Sequence, residues 1–175
     1  MKFLVLNGSP RKNGNVAKTL KSQIDFFSRK FGNEKIETKW IGVQDLQFDF
    51  CKGCMSCRSR GHCQMQADDA HKIEEELKTC DYLFVGTPVY WANMNGKLKA
   101  LFDRLVPIFM GESKSGIPVP LNKGKKAVIV TSCTTPFPFN YLCGQTSGAV
   151  RSVKEILKTA GFKICRTVNL AGTKK

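Results

Sequence analysis

The sequence has no apolar run approaching the roughly 20 residues that a membrane-spanning helix requires. Its first residues, Lys2-Phe3-Leu4-Val5-Leu6, are strand-like and unlike a secretory leader. A soluble, cytoplasmic protein with no membrane partner is expected. Histidine is scarce, with only His62 and His71, and no Ser-His-Asp or paired-carboxylate arrangement is readable. His62 reads as a solvated loop residue beside Cys63, and His71 as a first-turn residue of an exposed helix, carrying no signal. Hydrolytic machinery built from side chains is therefore not indicated. No internal repeat or linker divides the chain, so one domain spanning residues 1–175 is expected.

Acidic residues are the other shortage. Fourteen Asp and Glu face 28 Lys and Arg, for a formal charge of +14, and from residue 105 onward only Glu112 and Glu155 are acidic. Charge alone would admit a nucleic-acid partner. The basic residues are scattered over several expected elements, however, with no basic helix or Arg-rich run. Anionic cofactors, anionic substrates or plain solubility account for the charge with fewer assumptions.

What is present starts at the N-terminus. Phe3 to Leu6 form a short apolar run that stops at Gly8-Ser9-Pro10, as a strand buried on both faces of a parallel sheet does. Val16, Leu20, Ile24, Phe27 and Phe31 then recur at helical period. A helix entered through this loop aims its unpaired N–H groups and positive dipole end at the loop, which makes an anion site. Ser9, Asn13 and Asn15 add polar side chains, and Arg11 adds a charge. The loop reads as a phosphate cradle. It is neither the Gly-x-x-x-x-Gly-Lys-Ser/Thr loop nor the Gly-x-Gly-x-x-Gly fingerprint.

The rest of the chain alternates strand and helix. Ile36, Thr38 and Trp40 mark a half-exposed edge strand, and residues 42–66 are irregular. Asp68-Asp69 open a helix carrying Ala70, Ile73 and Leu77 on one face. Tyr82–Val85 form a third strand, Leu98 to Leu105 a helix, and Ala127–Val130 a fourth strand. Val153, Ile156, Leu157 and Ala160 mark a helix stopped by Gly161, and residues 162–170 a fifth strand. Such an order means a doubly wound α/β sheet of five parallel strands. Two long connections, 106–124 and 132–148, are expected to be loops beside the ligand-side edge of the sheet.

Eight cysteines are present, and four fall within thirteen residues, as Cys51-Lys52-Gly53-Cys54-Met55-Ser56-Cys57 and then Cys63. Such clustering favours metal or redox work over a secreted disulfide scaffold. Close thiolates suit an iron–sulfur cluster, whereas zinc sites usually come as two separated pairs. Cys80, Cys133, Cys143 and Cys165 read as buried structural thiols.

The stretch Gly86-Thr87-Pro88-Val89-Tyr90-Trp91-Ala92-Asn93-Met94-Asn95-Gly96, continuing to Asp103-Arg104, carries a resemblance. Together with Gly8-Ser9-Pro10-Arg11-Lys12-Asn13-Gly14-Asn15, it resembles the NAD(P)H-dependent FMN reductase and iron–sulfur flavoprotein group. That resemblance implies a flavodoxin-like fold with strand order 2-1-3-4-5. It places the FMN phosphate on Ser9, Arg11, Asn13, Gly14, Asn15 and Val16, where relatives often carry Thr in place of Val16. It places Thr87, Pro88, Val89, Tyr90 and Trp91 along the flavin ring, with backbone N–H groups after Pro88 facing the ring. Ser132 and Cys133 form a third contact loop where relatives usually show glycines. Cys51, Cys54, Cys57 and Cys63 match the motif that ligates a [4Fe–4S] cluster, although reductases of the group can show similar cysteines and no cluster. The implied function is electron transfer from NAD(P)H, as substrate, or another low-potential donor through FMN to an unidentified small-molecule or protein acceptor. The alternatives are a cluster-bearing electron carrier and a non-enzymatic basic binding module. A homodimer or homotetramer is implied as well.

Overall fold

The computed structural model describes residues 1–32 and 34–173. The elements in chain order are β1 (Lys2–Asn7), α1 (Asn15–Lys30), β2 (Glu37–Gly42), α2 (Ser56–Arg60), α3 (Asp69–Thr79), β3 (Tyr82–Pro88), α4 (Gly96–Arg104), α5 (Val106–Phe109), β4 (Met110–Glu112), β5 (Pro118–Pro120), β6 (Lys126–Ser132), α6 (Phe139–Leu142), α7 (Gln145–Thr159) and β7 (Lys163–Leu170). The main sheet runs β2-β1-β3-β6-β7 with every neighbouring pair parallel. Counting only its strands, this is the expected order 2-1-3-4-5. β2 lies at the edge and is half-buried at most, as its alternating sequence requires. No helix among the described residues is long and apolar enough to cross a membrane.

Alternation along the strands splits the core in two. Leu4, Leu6, Leu83, Val85, Ala127 and Ile129 face α3, α4, α5 and α7. Phe3, Val5, Tyr82, Phe84, Val128 and Val130 face Val16, Leu20 and Phe27 of α1. Rings from three elements interlock on this second face, with Phe3 to Phe84 at 5.1 Å and Phe27 to Tyr82 at 5.5 Å between centroids. Phe84 is fully buried, and burial of a side chain of this size stabilises by about 1.5–3 kcal/mol. Gly86 sets how closely α1 sits. A Cβ there would come within 2.7 Å of Val16 Cγ1, so only glycine lets the start of α1 lie against the end of β3.

Several expectations are corrected. The 106–124 connection is not a plain loop but contains α5 and an antiparallel β4–β5 pair, both too short to show a period. Within 132–148 lies α6, and α7 begins at Gln145 well before Val153, because Thr146, Ser147 and Gly148 are weak helix formers that tertiary packing overrides. The 42–66 stretch holds α2, entered through Met55 at φ 59° and left through Gly61 at φ 71°. Cys80 and Cys133 are buried, but Cys143 and Cys165 are exposed: Cys143 is the residue that ends α6, and Cys165 lies where β7 slips register against β6.

Candidate functional site: a cleft at the carboxyl end of the sheet and a four-cysteine cavity

The loop after β1 is held by its own polar groups. Asn7 Oδ1 accepts from the Ser9 N–H at 3.1 Å, Ser9 Oγ accepts from the Arg11 N–H at 3.2 Å, and the Gly14 N–H reaches the Arg11 carbonyl at 3.1 Å. The Gly8 N–H donates to the Gly86 carbonyl at 2.7 Å and ties the loop to β3. Gly14 caps α1 without a side-chain bond, so the first-turn N–H groups of Asn15, Val16 and Ala17 face the loop uncapped. Arg11 is exposed above them. An anionic group is the partner such donors fit.

The facing wall is the turn after β3. Thr87 is fully buried, accepts from the Asn95 N–H at 2.8 Å and donates to the Pro88 carbonyl at 3.0 Å. The Val89 N–H donates to the Ser132 carbonyl at 2.8 Å, while Tyr90 and Asn93 exchange two bonds of 2.9 Å. Between them Trp91 and Ala92 both have positive φ, 50° and 58°, a hairpin geometry that Asn-Gly usually supplies. The left-handed region costs an L-residue about 1–2 kcal/mol. α7 shapes this turn from behind: a Cβ on Gly148 would collide with the Ala92 carbonyl oxygen. The third wall is Ser132, Thr134 and the chain beyond β7, where Ser132 Oγ donates to Thr173 Oγ1 at 3.0 Å and Thr173 Oγ1 to the Cys133 carbonyl at 2.9 Å.

The resulting cleft is lined by Ser9, Arg11, Gly14, Asn15, Val16, Pro88, Val89, Tyr90 and Ser132 among the expected residues. Four others lie elsewhere. Asn13 is exposed outside the cleft, Thr87 spends its hydroxyl on the turn, Trp91 projects fully into solvent, and the Cys133 thiol points to Gln145 Oε1 at 3.2 Å. Val16 is 3% exposed, with its side chain in the core, so its backbone N–H is what it offers an anion. The N–H groups of Val89 and Tyr90 are paired within the protein instead of facing the cleft, which corrects the expectation drawn from the Pro88 turn. Pro10, Thr134 and Thr173 line the cleft as well. Thr173 carried no signal in the sequence, since only the pairing of residues 170–173 with 133–135 brings it there.

The second feature is a cavity of about 100 Å³ whose wall includes Cys51, Cys54, Cys57 and Cys63 together with Met55, Met65, Val106 and Arg104. Burial first, and then the neighbouring Cys63, Cys51 and Cys54, push the Cys57 thiol up, whereas the N–H and hydroxyl of Ser56 hold Cys54 below its ordinary value. The Gly53 N–H donates to Cys51 Sγ at 3.4 Å. Among the described residues, no three His, Cys, Asp or Glu side chains converge as a single metal ion requires. The sulfurs instead ring a cavity walled largely by apolar atoms. An all-thiol donor set of this kind fits a compact iron–sulfur cluster. His71 corrects its silent reading: it completes the α3 cap with Asp68, at 3.0 Å from Oδ1, and its Nε2 reaches the Cys63 carbonyl at 3.4 Å.

A parallel sheet of order 2-1-3-4-5, with a cleft where the order reverses between β1 and β3, defines the flavodoxin-like class. The chain belongs to the NADPH-dependent FMN reductase family, whose model matches residues 1–135. It is similar to an iron–sulfur flavoprotein of Methanocaldococcus jannaschii, 32% identical over 111 residues, covering 63% of this chain and 55% of that protein. The chain spans about half the length of the curated relatives it matches. Among solved structures, an azoreductase from Bacillus anthracis aligns with TM-score 0.74 and 16% identity over 98% of this chain and 87% of that one. An FMN-dependent NADH-azoreductase from the same species, in complex with FMN, aligns with TM-score 0.69 and 15% identity over 98% and 87% of the two chains. At that identity the likeness concerns the fold.

Proposed function

We propose that residues 1–175 form one FMN-binding domain of an oxidoreductase that moves electrons from a reduced nicotinamide, or another low-potential donor, to an acceptor. The observation that carries this reading is one cleft joining the uncapped start of α1 and Arg11 to the apolar turn of Pro88 and Val89. The first pair fits a phosphate and the second the flat apolar face of a flavin. Bound there, FMN supplies two-electron and one-electron exchange. The residues themselves bind and orient. The N–H groups of Asn15, Val16 and Ala17 hold the phosphate, Arg11 neutralises it, Pro88 and Val89 keep water from one side of the ring, and Tyr90 borders it. Arg11 and Tyr90 are the only titratable side chains lining the cleft among the described residues.

A second reading adds a [4Fe–4S] cluster on Cys51, Cys54, Cys57 and Cys63, favoured because all four line one cavity. α4 links the two sites, with Asn95 at its start bonded to Thr87 and Arg104 at its end in the cysteine cavity. The helix axis between Gly96 and Arg104 spans about 12 Å. Exposed Trp91, Phe137, Phe139 and Leu142 favour a homo-oligomer, and eight free thiols favour a reducing, cytoplasmic setting. Titration of the apoprotein with FMN and with riboflavin, followed by anaerobic addition of NADH or NADPH, tests the reading. Tighter binding of FMN and bleaching of bound flavin by a nicotinamide are expected. Equal affinity for the two flavins overturns the phosphate site, and inert bound flavin overturns the nicotinamide donor.

A further inference from the structure

Arg104 ends α4 with a side chain of 0% exposure, which is unusual for a guanidinium and tolerable only with its donors engaged. Nη1 donates to Asp68 Oδ2 at 2.7 Å and to the Asp49 carbonyl at 2.8 Å, and Nη2 donates to Asp68 Oδ1 at 3.1 Å. Asp68 is itself fixed as the cap of α3 by the Ala70 N–H at 3.0 Å and by His71. Of the five N–H donors three are engaged, and Nε is the guanidinium nitrogen that is buried with no partner among the described residues. The same side chain helps to wall the four-cysteine cavity and stands within reach of Cys63, while its Nε makes no bond. The other cations of this wall, Lys52 and Arg58, are exposed, and Arg58 is paired with Glu112 at 2.9 Å.

We propose that Arg104 is a positioning residue for the group held by Cys51, Cys54, Cys57 and Cys63, its Nε–H donating to a sulfur of a bound iron–sulfur cluster on the Cys63 side and so favouring the cluster's reduced form. This rests on the cluster reading above. Hydrogen bonds to the sulfurs help to set a cluster's potential, and because the Arg104 charge is offset by Asp68, the hydrogen bond is the lever. Arginine suits the role where lysine does not. Its planar fork engages both Nη groups with the protein and still leaves Nε–H without a partner, on a side chain that walls the cavity.

The test compares wild type, Arg104→Lys, and the double variant Arg104→Met with Asp68→Asn, which removes both members of the ion pair so that neither charge is stranded. Each is expressed and purified without oxygen, with iron and sulfide supplied, and assayed for both elements. Midpoint potential is then read by redox titration, and the reduced protein, labelled with ¹⁵N-arginine, by pulsed electron paramagnetic resonance. Wild type is expected to hold iron and sulfide and to show a ¹⁵N coupling that Arg104→Lys loses. The double variant is expected to shift its reduction equilibrium at least tenfold toward the oxidised form, about 59 mV for a one-electron couple. A purely structural arginine would lower thermal stability and leave potential and coupling unmoved. Loaded variants with wild-type potentials and no ¹⁵N coupling in wild type overturn the role of Arg104. Wild type without iron and sulfide overturns the cluster itself, a separate outcome read from the element assay.

Discussion

Asn15→Asp should act on stability and on cofactor affinity in opposite directions. Asn15 is the first residue of α1, exposed, and borders the cleft above the uncapped first-turn N–H groups. In the apoprotein, a carboxylate there meets the positive end of a 16-residue helix and should stabilise by about 0.3–1 kcal/mol. In the holoprotein, it would stand beside the FMN phosphate. Two unit charges about 4 Å apart repel by about 1 kcal/mol in bulk water and about 4 kcal/mol at a protein surface. The phosphate carries more than one charge, so the penalty lies toward the upper value. Affinity for FMN should therefore fall between about fivefold and about a thousandfold, less at high salt. Riboflavin, which has no phosphate, should bind the variant as it binds wild type. The assay is fluorescence titration with both flavins at two salt concentrations, alongside thermal unfolding of the apoprotein. Equal loss for FMN and riboflavin, or no loss for either, would refute the placement of the phosphate at α1.

Arg11→Ala should weaken FMN by less than Asn15→Asp, with the larger effect at low salt, since Arg11 is exposed and screened; titration at two ionic strengths checks it. Gly148→Ala should push the Trp91–Ala92 turn off α7 and weaken flavin binding severalfold, whereas Ala92→Gly should relieve a left-handed residue and raise stability by about 1 kcal/mol in chemical denaturation. Cys57→Ala should abolish iron and sulfide in anaerobically prepared protein while FMN content stays at the wild-type level; iron retained in that variant removes Cys57 from the ligand set. Phe84→Ala, in the centre of the aromatic face of the sheet, should cost about 3–5 kcal/mol of unfolding free energy, and a loss below 1 kcal/mol would contradict the packing described.

Local pattern determined the strand and helix order of this protein. Four apolar residues from Phe3 to Leu6 and the 3.6-residue spacing from Val16 to Phe31 each state, within a few residues, which backbone conformation buries them. Alternation of short buried strands with helices then leaves few topologies, because right-handed crossovers exclude most others. Most of the cleft was legible for the same reason, since Ser9 to Val16 and Pro88 to Tyr90 directly follow strands whose carboxyl ends meet. Tertiary structure decided the direction of each polar group. Thr87, Cys133 and the Val89 N–H look available in sequence, and each is taken by a partner five or more residues away. Thr173 reaches the cleft only because the chain beyond β7 pairs with residues 133–135. Arg104 and Asp68 look like ordinary surface residues of two helices, 36 positions apart, and become an ion pair with the arginine fully buried only when the fold brings the end of α4 to the cap of α3. Periodicity records which side of one element is apolar; it contains no information about which donor and acceptor from different elements are forced, by the exclusion of water, to satisfy one another.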